Sequence, residues 1–279
     1  MGQRRNIAGS RMLITGASQG IGRALAIEAV KQGAKVLAAA RQRSLLEELA
    51  AEVKAAGGSL EIVAADVTSP ADREAMVKAA QEKLGGLDIL VNNAGIGSTG
   101  HYADVEFDHI RKIFEVNLFG LTETTRVFLP MLKQGNKPAI VNIGSIAGKR
   151  GIPARSHYAS SKFAVQGFSE AIRAELAKDG IDVLVVSPGL TQTNFSKNMI
   201  EQKAKVQLDH MRGMTSEQVA QATLNSIARG KNETVLTLNG KLLVLVSRFL
   251  PRLADMISKK KVRGLFPEEI AERRAKRGE

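Results

Sequence analysis

Directly after a short apolar run, Arg11 to Thr15, the chain reads Gly16-Ala17-Ser18-Gln19-Gly20-Ile21-Gly22. An amphipathic stretch with Ile21, Leu25 and Ala29 on one face follows as far as Gly33, and a second apolar run covers Lys35 to Ala40. Strand, glycine loop, helix and strand within about 30 residues form the unit that cradles a dinucleotide pyrophosphate on a helix N-terminus. Glycine is needed where backbone approaches phosphate and where helix meets strand. The spacing here is G-x-x-x-G-x-G, not G-x-G-x-x-G. In this context it predicts a parallel α/β fold with a phosphate site at its first turn.

The alternation runs on to about residue 240. Ser44-Leu45-Leu46-Glu47 reads as a capping box opening a helix with Leu45, Leu49 and Val53 along it, ended by Gly57-Gly58. Leu60 to Ala64 is a third strand ending at Asp66, and Ser69-Pro70 starts a helix with proline at its first position. Leu87 to Val91 is a fourth strand ending in Asn92-Asn93-Ala94-Gly95, followed by a long helix from about Phe107 to Leu132. Ala139 to Ile143 is a fifth strand ending near Ser145, and a helix runs from about Tyr158 to Lys178. Asp182 to Ser187 is a sixth strand closed by Pro188-Gly189, Thr215-Ser216-Glu217-Gln218 caps another helix, and Thr234 to Leu238 is a short seventh strand. Strands that are apolar throughout indicate a parallel sheet covered on both faces. The expected architecture is a Rossmann-type, doubly wound α/β sheet of about seven strands, one domain over 1–240, with a helical extension over 241–279.

Composition removes several function classes. The chain has 279 residues, 44% of them hydrophobic, and no cysteine, so thiolate catalysis, disulfides and Cys-ligated zinc are excluded. His101, His109, His157 and His210 show no metal-ligand spacing, and no metal is expected. No apolar run is long enough for a signal-peptide core or a membrane span, so a cytoplasmic protein is expected. The net charge is +12, and from Lys241 onward eleven Lys or Arg face five Asp or Glu. Half the excess charge thus lies in the tail. With 4% aromatics, no Trp and no binding motif, a nucleic-acid partner is not expected.

Notable polar residues fall after successive strands: Ser18 and Gln19, Arg41, Asp66, Asn93, Ser145 and Pro188-Gly189. Ligands gather at that end of such a sheet. Tyr158 and Lys162 are four apart on a helix and share a face, where an ammonium favours the ionised form of a phenol, as general acid–base work requires.

These motifs resemble the short-chain dehydrogenase/reductase family: Thr15-Gly-Ala-Ser-Gln-Gly-Ile-Gly22, Asn92-Asn-Ala-Gly95, Ser145, Tyr158-x-x-x-Lys162 and Pro188-Gly189, in the family's order across roughly residues 10–240. The resemblance implies an NAD(P)-dependent enzyme acting on CH–OH/C=O groups. Tyr158 is then the general acid, and Ser145 binds the substrate oxygen. Lys162 assists the tyrosine and holds the nicotinamide ribose, and Asn117 positions a water beside the lysine. It also implies that Gly16, Ser18, Gln19, Gly20, Ile21 and Gly22 bind the pyrophosphate side and that Asp66 and Val67 flank the adenine. Asn93, Ala94 and Gly95 line the adenosine side, while Thr191 and Thr193 contact the nicotinamide amide or a phosphate.

Cofactor choice is argued at the end of the second strand. An acidic residue there selects NAD(H); here Ala40 is followed by Arg41, with Arg43 close by, which suits a 2′-phosphate and predicts NADP(H). Neutral Gln19, where many NADP-preferring relatives carry a basic residue, points the other way. Substrate identity resides between Leu190 and Met214, where Phe195, Met199, Ile200, Val206, Leu208 and Met211 mix with Lys197, Lys203, Lys205 and Arg212. Those apolar residues line a pocket for a hydrophobic carbonyl substrate or seat the loop on the core. A 3-oxoacyl-carrier-protein reductase and a non-catalytic nucleotide sensor are the alternatives; the intact set Asn117, Ser145, Tyr158 and Lys162 speaks against the sensor. Relatives pair through their long helices, so a homodimer or homotetramer is expected.

In the tail, Leu242, Val246, Phe249, Leu250, Leu253 and Ile257 fall on one face, Pro251 kinks or restarts the helix, and a basic run follows over 258–263. This is the pattern of an interfacial helix on anionic lipid, or of a helix that covers the pocket or a subunit interface with a solvated basic end.

Overall fold

The structure, a computed structural model, describes residues 2–193, 195, 199–200 and 213–265, together with 271, 274 and 275. Six strands open the parallel sheet: β1 (Arg11–Thr15), β2 (Lys35–Ala40), β3 (Glu61–Ala64), β4 (Ile89–Asn92), β5 (Ala139–Ile143) and β6 (Asp182–Ser187). Two short strands, β7 (Thr191–Gln192) and β8 (Met214–Thr215), pair with each other apart from it, and β9 (Glu233–Val235) completes the sheet. The order is β3-β2-β1-β4-β5-β6-β9, all parallel. The chain starts in the middle, winds out to β3, then restarts at β4 on the other side of β1. That reversal opens a crevice above the carboxyl ends of β1 and β4.

Alternate side chains along each strand feed opposite layers. Met12, Ile14, Val36, Val91, Val141 and Leu184 pack under α1 (Gly20–Lys31), α2 (Arg43–Ala55) and α7 (Ser216–Ala228). Leu13, Leu37, Leu90, Ile140 and Val183 pack under α3 (Pro70–Leu84), α5 (Leu121–Leu132) and α6 (Ser156–Leu176). Two cores back to back require strands that are apolar on both faces, which is why they read as continuous hydrophobic runs.

Several local expectations are corrected. Helix α2 begins at Arg43 with Gln42 at its N-cap and no side-chain cap bond, so Ser44 to Glu47 is not a capping box. The Glu47 carboxylate instead meets Arg43 Nε at 3.0 Å. The stretch 107–132 is not one α-helix: α4 (Phe107–Phe114) and α5 are joined by a π-helical segment, Glu115–Gly120. Strand β9 ends at Val235, and Leu238 belongs to the next helix, α8 (Leu238–Phe249), capped by the Thr237 hydroxyl. Proline restarts the chain as α9 (Pro251–Leu265). The expected Ser69-Pro70 start and the Thr215/Gln218 capping box are both present.

Candidate active site

The glycine turn between β1 and α1 is set by contacts that leave no room for a side chain. Gly16 has φ +65°, and a Cβ on it would fall 2.8 Å from Ala94 Cα. On Gly22 a Cβ would fall 2.4 Å from both Asn93 Nδ2 and the Gly16 carbonyl oxygen. The Asn93 side chain clamps this turn from β4, donating to the carbonyls of Thr15 (2.9 Å) and Gly16 (3.1 Å). Thr15 Oγ1 accepts from the N–H groups of Asn93 and Ala94, each at 3.1 Å. Helix α1 therefore starts at a fixed place, with no acidic residue in its first turn. A helix N-terminus so presented favours an anion.

Ser145 follows β5. The N–H of Gly144 donates to Val186 O at 2.8 Å and that of Ile146 to Pro188 O at 3.0 Å, which zips this loop to the end of β6. Ser145 Oγ accepts from Ala147 N–H at 3.1 Å as the cap of a 3-10 turn, Ile146–Gly148, keeping its O–H as the donor. Gly148 rests on the backbone of α6: a Cβ there would lie 2.6 Å from Lys162 O.

Helix α6 carries Tyr158 and Lys162, both buried. Lys162 Nζ donates to Ile143 O at 2.9 Å and lies 6.0 Å from the Tyr158 ring centre. Burial depresses the lysine's pKa, and the neighbouring tyrosine opposes that shift. The π segment holds Asn117, whose Oδ1 accepts from Ile96 N–H at 2.8 Å while Nδ2 donates to Ile96 O (3.0 Å) and Ser161 Oγ (3.0 Å). Asn117 thus joins the β4 loop to α6. A buried row anchors α6 from below: Asn92 Nδ2 donates to Asn142 Oδ1 at 2.9 Å, and Asn142 Nδ2 donates to Ser169 Oγ at 2.8 Å.

These elements enclose one cleft of about 530 Å³. Its wall takes in the glycine turn (Gly16, Ser18, Gln19, Gly20, Ile21), Arg41, Asp66 and Val67, and Asn93 to Gly95. It continues through Ser145, Tyr158, Lys162, Pro188, Gly189, Thr191 and Thr193. Two expected residues stand off that wall, Gly22 in the turn's packing and Asn117 behind Gly95, where a Cβ on the glycine would be 3.3 Å from Asn117 Oδ1. Arg41 is exposed on the wall, whereas Arg43 is engaged by Glu47. The cleft's glycine cradle, free of acidic side chains at the α1 N-terminus, fits a dinucleotide. Among the described residues no group of acidic or histidine side chains is placed to hold a metal.

Arg155 is a wall residue the sequence reading missed. Its guanidinium carbon sits 4.6 Å from the Tyr158 ring centre, its Nε is buried with no partner among the described residues, and burial lowers its pKa against the opposing pull of Tyr158. Its only signal was a basic residue three positions before the tyrosine. Leu190, Phe195, Met199, Ile96 and Val116 supply an apolar section, with Phe195 5.7 Å from Tyr158 between ring centres. Val206, Leu208, Met211, Lys197, Lys203, Lys205 and Arg212 lie outside the described residues.

Fold and cleft together define a nucleotide-binding α/β oxidoreductase. The family model for short chain dehydrogenases matches residues 10–204, and the chain belongs to that short-chain dehydrogenase/reductase family of nicotinamide-dependent enzymes. It is 33% identical to the ketoacyl reductase HetN of Nostoc sp. over 98% of this chain and 96% of that protein. It is 34% identical to dehydrogenase/reductase SDR family member 7B of Mus musculus, over 81% of this chain and 72% of that one. A short chain dehydrogenase/reductase from Burkholderia phymatum, solved with NAD, superposes with a TM-score of 0.82 at 26% identity, covering 89% and 96% of the two chains. A 3-ketoacyl-(acyl-carrier-protein) reductase from Brucella melitensis, complexed with NADH, superposes at 0.74 with 29% identity, covering 82% and 96%.

Proposed function

We propose that this enzyme uses NADP(H) to interconvert a hydrophobic ketone or aldehyde and its alcohol. The carrying observation is that the glycine turn, Ser145, Tyr158, Lys162 and an apolar wall of Leu190, Phe195 and Met199 share one cleft. When bound, the reduced nicotinamide supplies hydride. Tyr158 hands its hydroxyl proton to the substrate oxygen, and the Ser145 O–H donates to the same atom. Lys162 holds the ribose and stabilises charge left on the tyrosine. Asn117 fixes the Gly95-Ile96 backbone beside that lysine. Arg41, exposed at the adenosine end, meets the 2′-phosphate; Asp66 and Val67 flank the adenine, and Thr191 and Thr193 the nicotinamide end.

A second reading is reduction of a 3-oxoacyl chain. The ketoacyl reductase matched over nearly its whole length favours it. The enzyme is read as cytoplasmic and homo-oligomeric through its long helices, where Phe119 and Phe163 are exposed, with the 241–263 tail contacting a membrane surface.

NADPH oxidation across ketones, aldehydes and 3-oxoacyl thioesters tests the reading. Tyr158→Phe should lower kcat about 10²–10⁴-fold, and parental activity in that variant would remove the mechanism. Arg41→Asp should move the ratio of NADPH to NADH efficiencies toward NADH by about tenfold or more, equivalent to about 1.4 kcal/mol; an unchanged ratio would reject the assigned phosphate contact.

A further inference from the structure

Helices normally turn their apolar stripe inward. The C-terminal pair also turns one outward. Along α8, Leu238, Leu242, Leu245 and Phe249 recur every three or four residues and are 81%, 60%, 53% and 70% exposed. Leu250 at the joint and Leu253, Met256 and Ile257 on α9 are exposed as well. The opposite side of the pair is the covered one: Gly240 and Ala254 are buried, and Leu243, Val244 and Val246 are half-buried. The outward stripe is therefore not needed to seat these helices.

Charge says what covers it. Within 238–260 there are five cations, Lys241, Arg248, Arg252, Lys259 and Lys260, all exposed. The single carboxylate, Asp255, is engaged by Arg150. Pairing this face with a second copy would bring two cationic sets together with no acid to meet them, whereas an anionic lipid surface satisfies both the apolar stripe and its basic rim. Among the described residues no helix is long and apolar enough to cross a membrane, and an apolar stripe with a basic rim suits helices that lie in the interface.

We infer that α8 and α9 form a monotopic docking surface for anionic bilayers, and that the cleft takes its apolar substrate from the bilayer. The second clause rests on the proposed function. The surface is rooted beside the catalytic loop. A Cβ on Gly240 would fall 3.0 Å from Ile146 Cγ2, and one on Gly189 would fall 3.3 Å from Thr237 Oγ1. Arg150, five residues beyond Ser145, holds α9 through Asp255. A bilayer under this face therefore lies next to the segments that carry Ser145 and Pro188-Gly189.

Co-sedimentation of the full chain with phosphatidylcholine vesicles, with and without phosphatidylserine, tests docking without cofactor or substrate. The parent should partition to the anionic vesicles and release as salt rises. Leu242→Glu/Phe249→Glu, at exposed positions, should reduce partitioning at least tenfold. A parent that stays in the supernatant, or a variant that binds as the parent does, overturns docking. So does a parent dimer, by light scattering, that these substitutions make monomeric while vesicle binding is absent. For substrate supply, the variant should lose about tenfold in turnover of a vesicle-embedded ketone and none with a water-soluble one; equal losses on both overturn that clause. Vesicle binding without turnover of any ketone, aldehyde or 3-oxoacyl thioester would reject the proposed redox reaction and leave docking supported.

Discussion

At the scale of single residues, Lys162 shows a conflict between function and stability. Its ammonium is buried, with the Ile143 carbonyl as hydrogen-bond partner, and burial holds its pKa below the 10.5 of a free lysine. Between the depressed value and 10.5 the unfolded chain binds more protons than the native one, so native stability rises with pH through that window. Lys162→Met removes the buried charge. It should abolish turnover while melting no lower than the parent, and its advantage in Tm should shrink as pH rises toward 10. A variant that melts several degrees lower at every pH would show that the lysine's hydrogen bond outweighs its desolvation. The Tyr158/Lys162 pairing was readable because helical spacing alone puts two residues on one face. Arg155 was not, because its closeness to the tyrosine ring depends on how the loop before α6 turns.

Among elements, the 3-10 turn Ile146–Gly148 sets the distance between Ser145 and the Tyr-Lys helix. Because the Gly148 approach is backbone against backbone, no side chain can flex to admit a methyl group. Gly148→Ala should push the Ser145 loop off α6 and lower kcat about a hundredfold, the scale of a misplacement near 1 Å. NADPH affinity, measured by fluorescence titration, should change little; parental kcat would show that the loop tolerates the shift. Element type was legible wherever hydrophobic period spoke, as in the strands buried on both faces. Caps were less so. Ser44-x-x-Glu47 has the right letters, but the N-cap of α2 is Gln42, two residues earlier, and Arg43 occupies the glutamate. The tail's stripe also shifted: Pro251 splits it, Leu245 is exposed and Val246 is half-buried. Leu245 and Val246 are adjacent on α8, and spacing alone does not say which of the two faces solvent.

Across the whole molecule, chemistry and stability sit at opposite ends of the sheet. The cleft occupies the carboxyl ends of the strands. At the other end Asp88 accepts from Arg11 N–H (2.8 Å), the Arg11 guanidinium (2.7 Å) and Asn136 N–H (2.8 Å), and buried Arg5 meets Asp182 at 2.5 Å. Burial of Asp88 works to raise its pKa, but Arg11 and the two backbone donors prevail and leave it below the usual 3.8. Its contribution is therefore full above about 3.8 and is lost as pH falls through the lower native value. Asp88→Asn should cost about 2–3 kcal/mol at neutral pH and flatten the acid limb of stability, with kcat of the folded enzyme unchanged. A variant as stable as the parent in urea at pH 7 would contradict this. The sequence offered no route to these clamps, since their partners lie 77 and 177 residues apart.

The π segment has one more implication. A π turn is an α-helix that has absorbed one surplus residue, and here the surplus lies in Glu115–Gly120, around Asn117. Removing a single residue from it would let α4 and α5 join as an ordinary helix. Asn117 would then swing out of reach of Ile96 and Ser161. Ile96 and Ser161 would lose the side chain that now joins the β4 loop to α6, so that deletion should lower stability as well as turnover.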